Sequence, residues 1–547
     1  MATMETHVPA EPSAHVDTFA RDHLPPRHLW PEMDYSALPE LAYPPRLNCA
    51  VELLDRMVDG GHADRTAILW DGGGWSYREL MEKANRVAAA LHELGVVPGN
   101  RVLLRGPNSP MMAACWFGVL KAGGVVVATM PLLRPRELAQ IAQKAMVRFA
   151  LCDHRLVADL VAARGQAPVL ERVLAWGGEG DDSLDALMAR QTGEFGAVDT
   201  AADDVALIAF TSGTTGQPKG AMHFHRDVLA ACDCFPRYVL KPKPDDVFCG
   251  SPPLAFTFGL GGILIFPLRV GAAALLIEQP TPPNLLKAIQ DHGATIVSTA
   301  PTAYRAMLDL LPQYDIRSLK KCVSAGENLP LPTFEAWEAA TGIRIIDGIG
   351  STEMLHIFIS ASGDDIRPGS TGKAVPGYRA RIIDEDGNPL PAGSIGRLAV
   401  QGPTGCRYLD DEERQRGYVW EGWNLTGDAY RMDEDGYFWY QARTDDMIVS
   451  AGYNIAGPEV EAVLLEHPAV MECGVVGLPD AERGQVVSAF VVLREGHQGG
   501  DAMVKELQQW VKDHIAPYKY PRRVTFLDQL PRTQTGKLQR FRLREGT

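Results

Sequence analysis

The sequence predicts an α/β protein, a large N-terminal body of mostly parallel sheets with helices, plus a small α+β C-terminal domain that reads as a lid. Three observations predict it. Short apolar runs alternate with stretches of helical periodicity over most of the chain, which is the pattern of parallel strands joined by crossover helices. The chain has 547 residues, too many for one hydrophobic core. Near residue 445 the alternation gives way to a compact tail with two strand runs and one amphipathic helix.

Residues 1–45 are rich in Pro, His and acidic side chains and lack sustained periodicity, so they read as an irregular N-terminal arm on the body or as a disordered tail. The body spans 46–444. Its first clear element is a helix starting at Ser76: Ser76 and Glu79 form a capping box, and Leu80, Ala84, Val87, Leu91 and Leu94 recur at helical spacing up to Gly95. Strands are expected at 101–105, 124–128, 149–152, 205–210, 273–277 and 295–298. The apolar stretch 259–277 is interrupted by Pro267 and Arg269 and thinned by glycine, so it predicts buried helix and strand rather than a membrane span. The C-terminal domain, 445–547, offers strands at 472–476 and 486–493. A helix from Asp501 follows, with Met503, Leu507, Trp510, Val511 and Ile515 on one face, stopped by Pro517.

A formal net charge of −15 argues against nucleic acid or an anionic membrane as partner, since both attract basic surfaces. Nine cysteines, an odd number without a Cys-x-x-Cys pair, predict reduced thiols rather than a disulfide framework or a zinc site, with Cys232 and Cys234 as packing residues. The N-terminal sequence lacks the basic and apolar segments of a secretory signal, and a cytoplasmic protein is expected.

The chemistry concentrates in Thr211-Ser-Gly-Thr-Thr-Gly-Gln-Pro-Lys-Gly220, directly after the apolar run 205–210. Glycines there let backbone N–H groups approach an anion, and hydroxyls with Lys219 complete a phosphate cradle. It is not a Walker loop, because Gly213 and Gly216 stand too close together and Lys219 precedes Gly220. Asp347-Gly-Ile-Gly-Ser-Thr-Glu353 is a second glycine turn, and it carries a hydroxyl and a carboxylate. Gly326, within Ser324-Ala-Gly-Glu-Asn328, suits close approach of backbone to a flat ligand. In Leu425-Thr-Gly-Asp428 the acceptor-only carboxylate of Asp428 suits hydroxyl groups. The tail carries Arg443-Thr-Asp-Asp, Ser450-Ala-Gly-Tyr-Asn and Pro531-Arg-Thr-Gln-Thr-Gly-Lys537.

These ordered motifs resemble the adenylate-forming superfamily of acyl- and aryl-CoA ligases, luciferases and peptide-synthetase adenylation domains. The resemblance implies ATP, Mg²⁺ and coenzyme A as cofactors and co-substrates. It places Thr211, Ser212, Gly213, Thr214, Thr215, Gly216 and Lys219 on the ATP phosphates, and Gly326, Glu327, Asn328, Asp347 and Gly348 around the adenine and its neighbouring pocket. Asp428 and Arg443 would meet the ribose, Thr352 the α-phosphate, and Glu353 the metal, with Lys537 as catalytic lysine. Asp445 would be the hinge of the small domain, and Gly452, Tyr453 and Asn454 would line the CoA tunnel. Ile349 departs from the family pattern, where most members carry Tyr, and is expected to pack against substrate.

Phe256, Phe258, Gly259, Ala325, Ile349, Gly350 and His356 would line the acyl pocket, a flat apolar slot suited to one aromatic ring. The string 347–358 resembles the benzoate-CoA ligase branch, while 14–20 and 450–458 are similar to 2-aminobenzoate-CoA ligases. The expected reaction joins a small aromatic carboxylic acid to AMP and then to CoA, releasing AMP and pyrophosphate. 2-Aminobenzoate is the first expected acid, with benzoate or a hydroxybenzoate next. The alternatives are an adenylation enzyme loading a carrier-protein phosphopantetheine, and a medium-chain acyl-CoA synthetase. A homodimer is compatible with each.

Overall fold

The computed structural model describes residues 12–181, 183–211, 218–450, 453–480, 483–515, 517–532 and 538–545. The helix expected after Ser76 is Tyr77–Glu93. The Ser76 hydroxyl accepts from the Glu79 N–H and the Glu79 carboxylate from the Ser76 N–H, so two of the orphan donors of the first turn are satisfied. Leu80, Ala84, Val87 and Leu91 are fully buried, as their spacing requires.

Two large sheets make the body. In the six-stranded one the order is Arg172–Trp176, Phe149–Asp153, Arg101–Arg105, Val125–Thr129, Val205–Thr211 and Lys219–Phe224. All neighbours are parallel except the last two, a hairpin that places Thr211 opposite Lys219. Side chains alternate between two cores: Val102, Leu104 and Val126 join one, Leu103, Val125 and Val127 the other. The nine-stranded sheet runs Lys373–Ala374, Ile357–Ser360, Ile345–Gly350, Lys321–Ser324, Ile296–Thr299, Val247–Gly250, Ala273–Leu275, Thr66–Trp70 and Gly73–Ser76. Its six central strands are parallel and its edges antiparallel. Ile68, Phe248, Val297 and Ile345 of this sheet share the first core with Val102 and Leu104, so the two sheets are one packed unit.

The apolar stretch folds as expected. Helical turns cover Thr257–Gly259, Leu260–Ile265 and Phe266–Arg269 without a break, and the strand Ala273–Leu275 follows. The middle piece is wound as a π-helix, which often marks a site. No helix among the described residues is long and apolar enough to cross a membrane. The nine cysteines are unpaired, and Cys232 and Cys234 are buried.

A third sheet, Arg379–Ile383, Ile395–Gln401, Trp423–Met432, Val419–Trp420 and Phe438–Arg443, ends the body. Beyond it lies a five-stranded sheet of Tyr453–Ile455, Ile448–Ser450, Gly484–Leu493, Val470–Asp480 and Arg523–Phe526. It has its own core: Ile448, Val460, Leu464, Val487 and Val491 pack with Leu507 and Val511 of the helix Asp501–His514. Met503, Trp510 and Ile515 close that core from the rim.

Candidate active site

Three of the predicted segments leave the carboxyl ends of parallel strands in the nine-stranded sheet. Pro252 to Gly259 follows Val247–Gly250, the 324–328 turn follows Lys321–Ser324, and the 351–356 turn follows Ile345–Gly350. Ser324 lies beside Asp347 in register. In open α/β sheets this is the rim where the crevice for a ligand forms.

The turn 351–353 is held by three side chains from other elements. His223 is fully buried, and its Nε2 lies 2.8 Å from the Thr352 carbonyl oxygen. Burial pushes the imidazole down to about 4 despite the nearby Asp227 carboxylate, so it is neutral and Nε2–H donates. The Tyr408 hydroxyl donates to Glu353 Oε1 at 2.6 Å, and Tyr418 meets the Ser351 hydroxyl at 3.2 Å. His223 stands on the same strand as Lys219, four residues on and therefore on the same face. The strand that begins with Lys219, the lysine of the predicted phosphate cradle, thus supports the turn that carries Glu353. Among the described residues no Lys or Arg pairs with Glu353, and its hydrogen bond comes from a neutral phenol. A half-buried carboxylate with no Lys or Arg paired to it among the described residues is a donor that fits a hard divalent cation.

Asp347 is half-buried, but its Oδ1 is fully enclosed and has no hydrogen-bond partner. Burial pushes its carboxyl up to about 7, against the lowering influence of Ser324 and the Gly348 N–H. Because the folded value lies above the unfolded one, its contribution to stability is present below pH 4 and is lost as pH rises to 7. Asp347→Asn is therefore expected to stabilise the protein by about 2 kcal/mol more at pH 8 than at pH 5. Denaturant unfolding at the two pH values checks this, and an equal shift at both would contradict it.

Asp428 and Arg443 face each other across adjacent strands, with Arg443 Nη1 2.9 Å from Asp428 Oδ1 and 3.1 Å from the Thr426 carbonyl. Gly427 has φ +75°, and a Cβ there would lie 2.7 Å from Arg443 Nη2. Tyr418 and Tyr430 connect this pair to the rest of the site. Both phenols are pushed up, first by burial; Tyr418 feels Glu353 and Asp428, and Tyr430 feels Asp428 and Asp347. The predicted ribose, adenine and metal carboxylates therefore converge.

His356 is buried among three rings: Phe266 edge-on at 4.4 Å, Phe258 at 5.7 Å and Phe235 stacked at 5.8 Å. Its Nε2 lies 3.4 Å from the Phe258 carbonyl, and burial pushes its pKa down to about 3. Ala325 is buried, while Phe256, Phe258 and Ile349 are half-buried around the same rim. Gly350 is dictated by crowding, since a Cβ would meet the His356 carbonyl oxygen at 2.5 Å.

Models of known families match both parts of this architecture. The AMP-binding enzyme model matches residues 56–407, and that of the AMP-binding enzyme C-terminal domain matches 459–537. The chain belongs to the AMP-binding enzyme family. Within it, this AMP-binding enzyme stands in the aryl-CoA ligase branch. It is 38% identical to the benzoate–CoA ligase of Thauera aromatica over 515 residues, covering 93% of this chain and 98% of that one. A crystal structure of an anthranilate CoA ligase in complex with anthranoyl-AMP superposes with a TM-score of 0.88 at 36% identity, over 93% of this chain and 99% of that one. A benzoate CoA ligase from Burkholderia xenovorans LB400 superposes with a TM-score of 0.84 at 34% identity, over 91% and 100% of the two chains.

Several predicted residues of this AMP-binding enzyme lie outside the described residues: Ser212, Gly213, Thr214, Thr215, Gly216, Gly452 and Lys537. Of Asp445, Tyr453 and Asn454 only the backbone is described, in a 3₁₀ turn and the strand Tyr453–Ile455. Thr211 and Lys219, the two ends of the predicted cradle, are paired on neighbouring strands. Arg532, the last residue described before Lys537, approaches Glu327 at 3.8 Å, so that end of the motif borders the 324–328 turn, where Asn328 is exposed. The sequence reading missed His223, Tyr408 and Tyr418. Strand alternation from Lys219 could have flagged His223; a single sequence holds no signal pairing Tyr408 with Glu353.

Proposed function

We propose that this AMP-forming acid–CoA ligase activates a single-ring aromatic carboxylic acid, 2-aminobenzoate first and benzoate or a hydroxybenzoate next. The observation that carries the reading is the apolar, aromatic rim of Phe258, His356, Ala325 and Ile349 beside the converging carboxylates Asp347, Glu353 and Asp428. An uncharged imidazole among phenyl rings favours a planar apolar ligand over a polar one. The relatives named for benzoate and anthranilate support the same class of acid.

A carboxylate oxygen is a poor leaving group, and transfer to AMP supplies a better one. The acid's carboxylate attacks the α-phosphate and pyrophosphate departs. Lys219 and the hydroxyls of the 211–220 loop hold the departing phosphates, Thr352 the α-phosphate, and Lys537 stabilises the charge that builds during attack. Glu353 would hold Mg²⁺, which neutralises phosphate charge when bound. Asp347 Oδ1 is an acceptor suited to the adenine amino group, and Asp428 with Arg443 suits the ribose hydroxyls. In the second half-reaction the unit from residue 445 onward swings about Asp445, withdraws Lys537 and brings 452–454 beside the CoA thiol, which takes the acyl group and frees AMP.

The test is kcat/KM for CoA thioester formation from 2-aminobenzoate, benzoate, 2-hydroxybenzoate, cinnamate, hexanoate and acetate. One small substituent discriminates by about 10- to 200-fold, so neighbouring benzoates are expected to react. A preference for hexanoate or acetate would defeat the aromatic reading, and a preference for benzoate only the ortho-amine assignment. Thioester formation that needs a carrier protein would favour the carrier-loading enzyme.

A further inference from the structure

We propose that Tyr408 is a positioning residue that orients Glu353 toward the metal and locks it in register with the strand carrying Lys219. The inference rests on Glu353 as the metal-binding carboxylate. Tyr408 is 1% exposed. Its backbone lies along Lys219–Phe224: Ala221 and Tyr408 form an antiparallel bridge, the Met222 N–H donates to the Arg407 carbonyl at 2.8 Å, and the Leu409 N–H to the Gly220 carbonyl at 2.8 Å. The backbone position is fixed from the other side by Gln415, which accepts from the Tyr408 N–H at 2.9 Å and donates to the Cys406 carbonyl at 3.0 Å. The ring rests edge-on against Tyr418, with centroids 5.8 Å apart, and Tyr418 reaches Ser351 on the same turn as Glu353. One phenol therefore bridges the strand that starts at Lys219 and the carboxylate of Glu353, 55 residues away in sequence.

The choice of a phenol is informative. A Lys or Arg in its place would also orient the carboxylate but would cancel its charge and compete with a cation. A neutral O–H takes lone-pair capacity on Oε1 and leaves the charge of Glu353 intact. Donors of this kind behind a metal-binding carboxylate fix its direction, and their loss typically weakens metal affinity about 10- to 100-fold.

The experiment uses the full-length protein with α,β-methylene-ATP and Mn²⁺, whose binding is read by electron paramagnetic resonance. Tyr408→Phe keeps the ring and its contact with Tyr418. It is expected to raise the Mn²⁺ dissociation constant about 10- to 100-fold, while nucleotide affinity in EDTA stays within about twofold of the parent, inside the spread of non-coupled effects. In a Glu353→Gln background, Tyr408→Phe is expected to add no further loss. Unchanged Mn²⁺ affinity in Tyr408→Phe, with Glu353→Gln impaired, overturns the role of Tyr408 alone. An equal loss of metal-free nucleotide binding would make Tyr408 a general structural residue and also overturns it. Unchanged Mn²⁺ affinity in Glu353→Gln removes the metal role of Glu353, and the positioning role falls with it.

Discussion

Replacing Asp227 by Ala is expected to destabilise the protein by about 3 to 5 kcal/mol. Asp227 and Arg407 are both fully enclosed, with Arg407 Nη1 2.7 Å from Asp227 Oδ2 and Nη2 3.5 Å from Oδ1. The same carboxylate accepts from the Phe224 N–H at 2.9 Å, and the guanidinium lies 3.9 Å over the Phe224 ring. Burial disfavours the charge on Arg407, and Asp227 more than offsets this. Without Asp227 the guanidinium stays buried and uncompensated, which costs more than the pair itself contributes. Replacing both, as Asp227→Leu with Arg407→Met, is therefore expected to recover most of the loss. Denaturant unfolding of the two single variants and the double variant measures this. A loss below about 1 kcal/mol in Asp227→Ala, within the range of ordinary surface pairs, would show that water reaches the guanidinium and would sink the argument.

Lys537→Ala is expected to slow adenylate formation by about 10² to 10³, equivalent to about 3 to 4 kcal/mol, the usual result of removing one donor to developing transition-state charge. Thioester formation from presynthesised aryl-adenylate and CoA should be spared, because in the proposed second step the small domain would have turned Lys537 away. The motivation is the Pro531-Arg-Thr-Gln-Thr-Gly-Lys537 motif together with the approach of Arg532 to Glu327 beside the 324–328 turn. Pyrophosphate exchange reads the first step and thioester absorbance the second. Comparable losses in both would remove the role assigned to this lysine.

What could be read from the sequence was local. The capping box at Ser76 and Glu79 sets the start of Tyr77–Glu93 because both partners lie within one turn. The strands 101–105 and 149–152 were legible because a buried strand leaves a short apolar run, here Val102 to Leu104 and Phe149 to Cys152. The expected strand at 273–277 ends at Leu275, and that at 124–128 begins at Val125 and ends at Thr129, as strand ends depend on partners from elsewhere. Thr352, Glu353, Asp428 and Arg443 were singled out because the short motifs that carry them resemble those of the family. Their supports were not, since His223 reaches Thr352 across 129 residues and Asp227 reaches Arg407 across 180. A buried polar contact of that separation depends on the folded path of the chain and leaves no period in the sequence.

The pairing of Arg407 to Leu409 with Lys219–Phe224 also bears on solubility. That strand ends the six-stranded sheet, and its apolar, fully extended edge would otherwise offer unpaired N–H and C=O groups to another molecule. The short segment laid along it covers the edge before a second chain can. Damage near Gly405 or Asp410 would therefore do more than loosen Glu353: it would uncover a template for intermolecular β-pairing, and loss of activity there would come with aggregation.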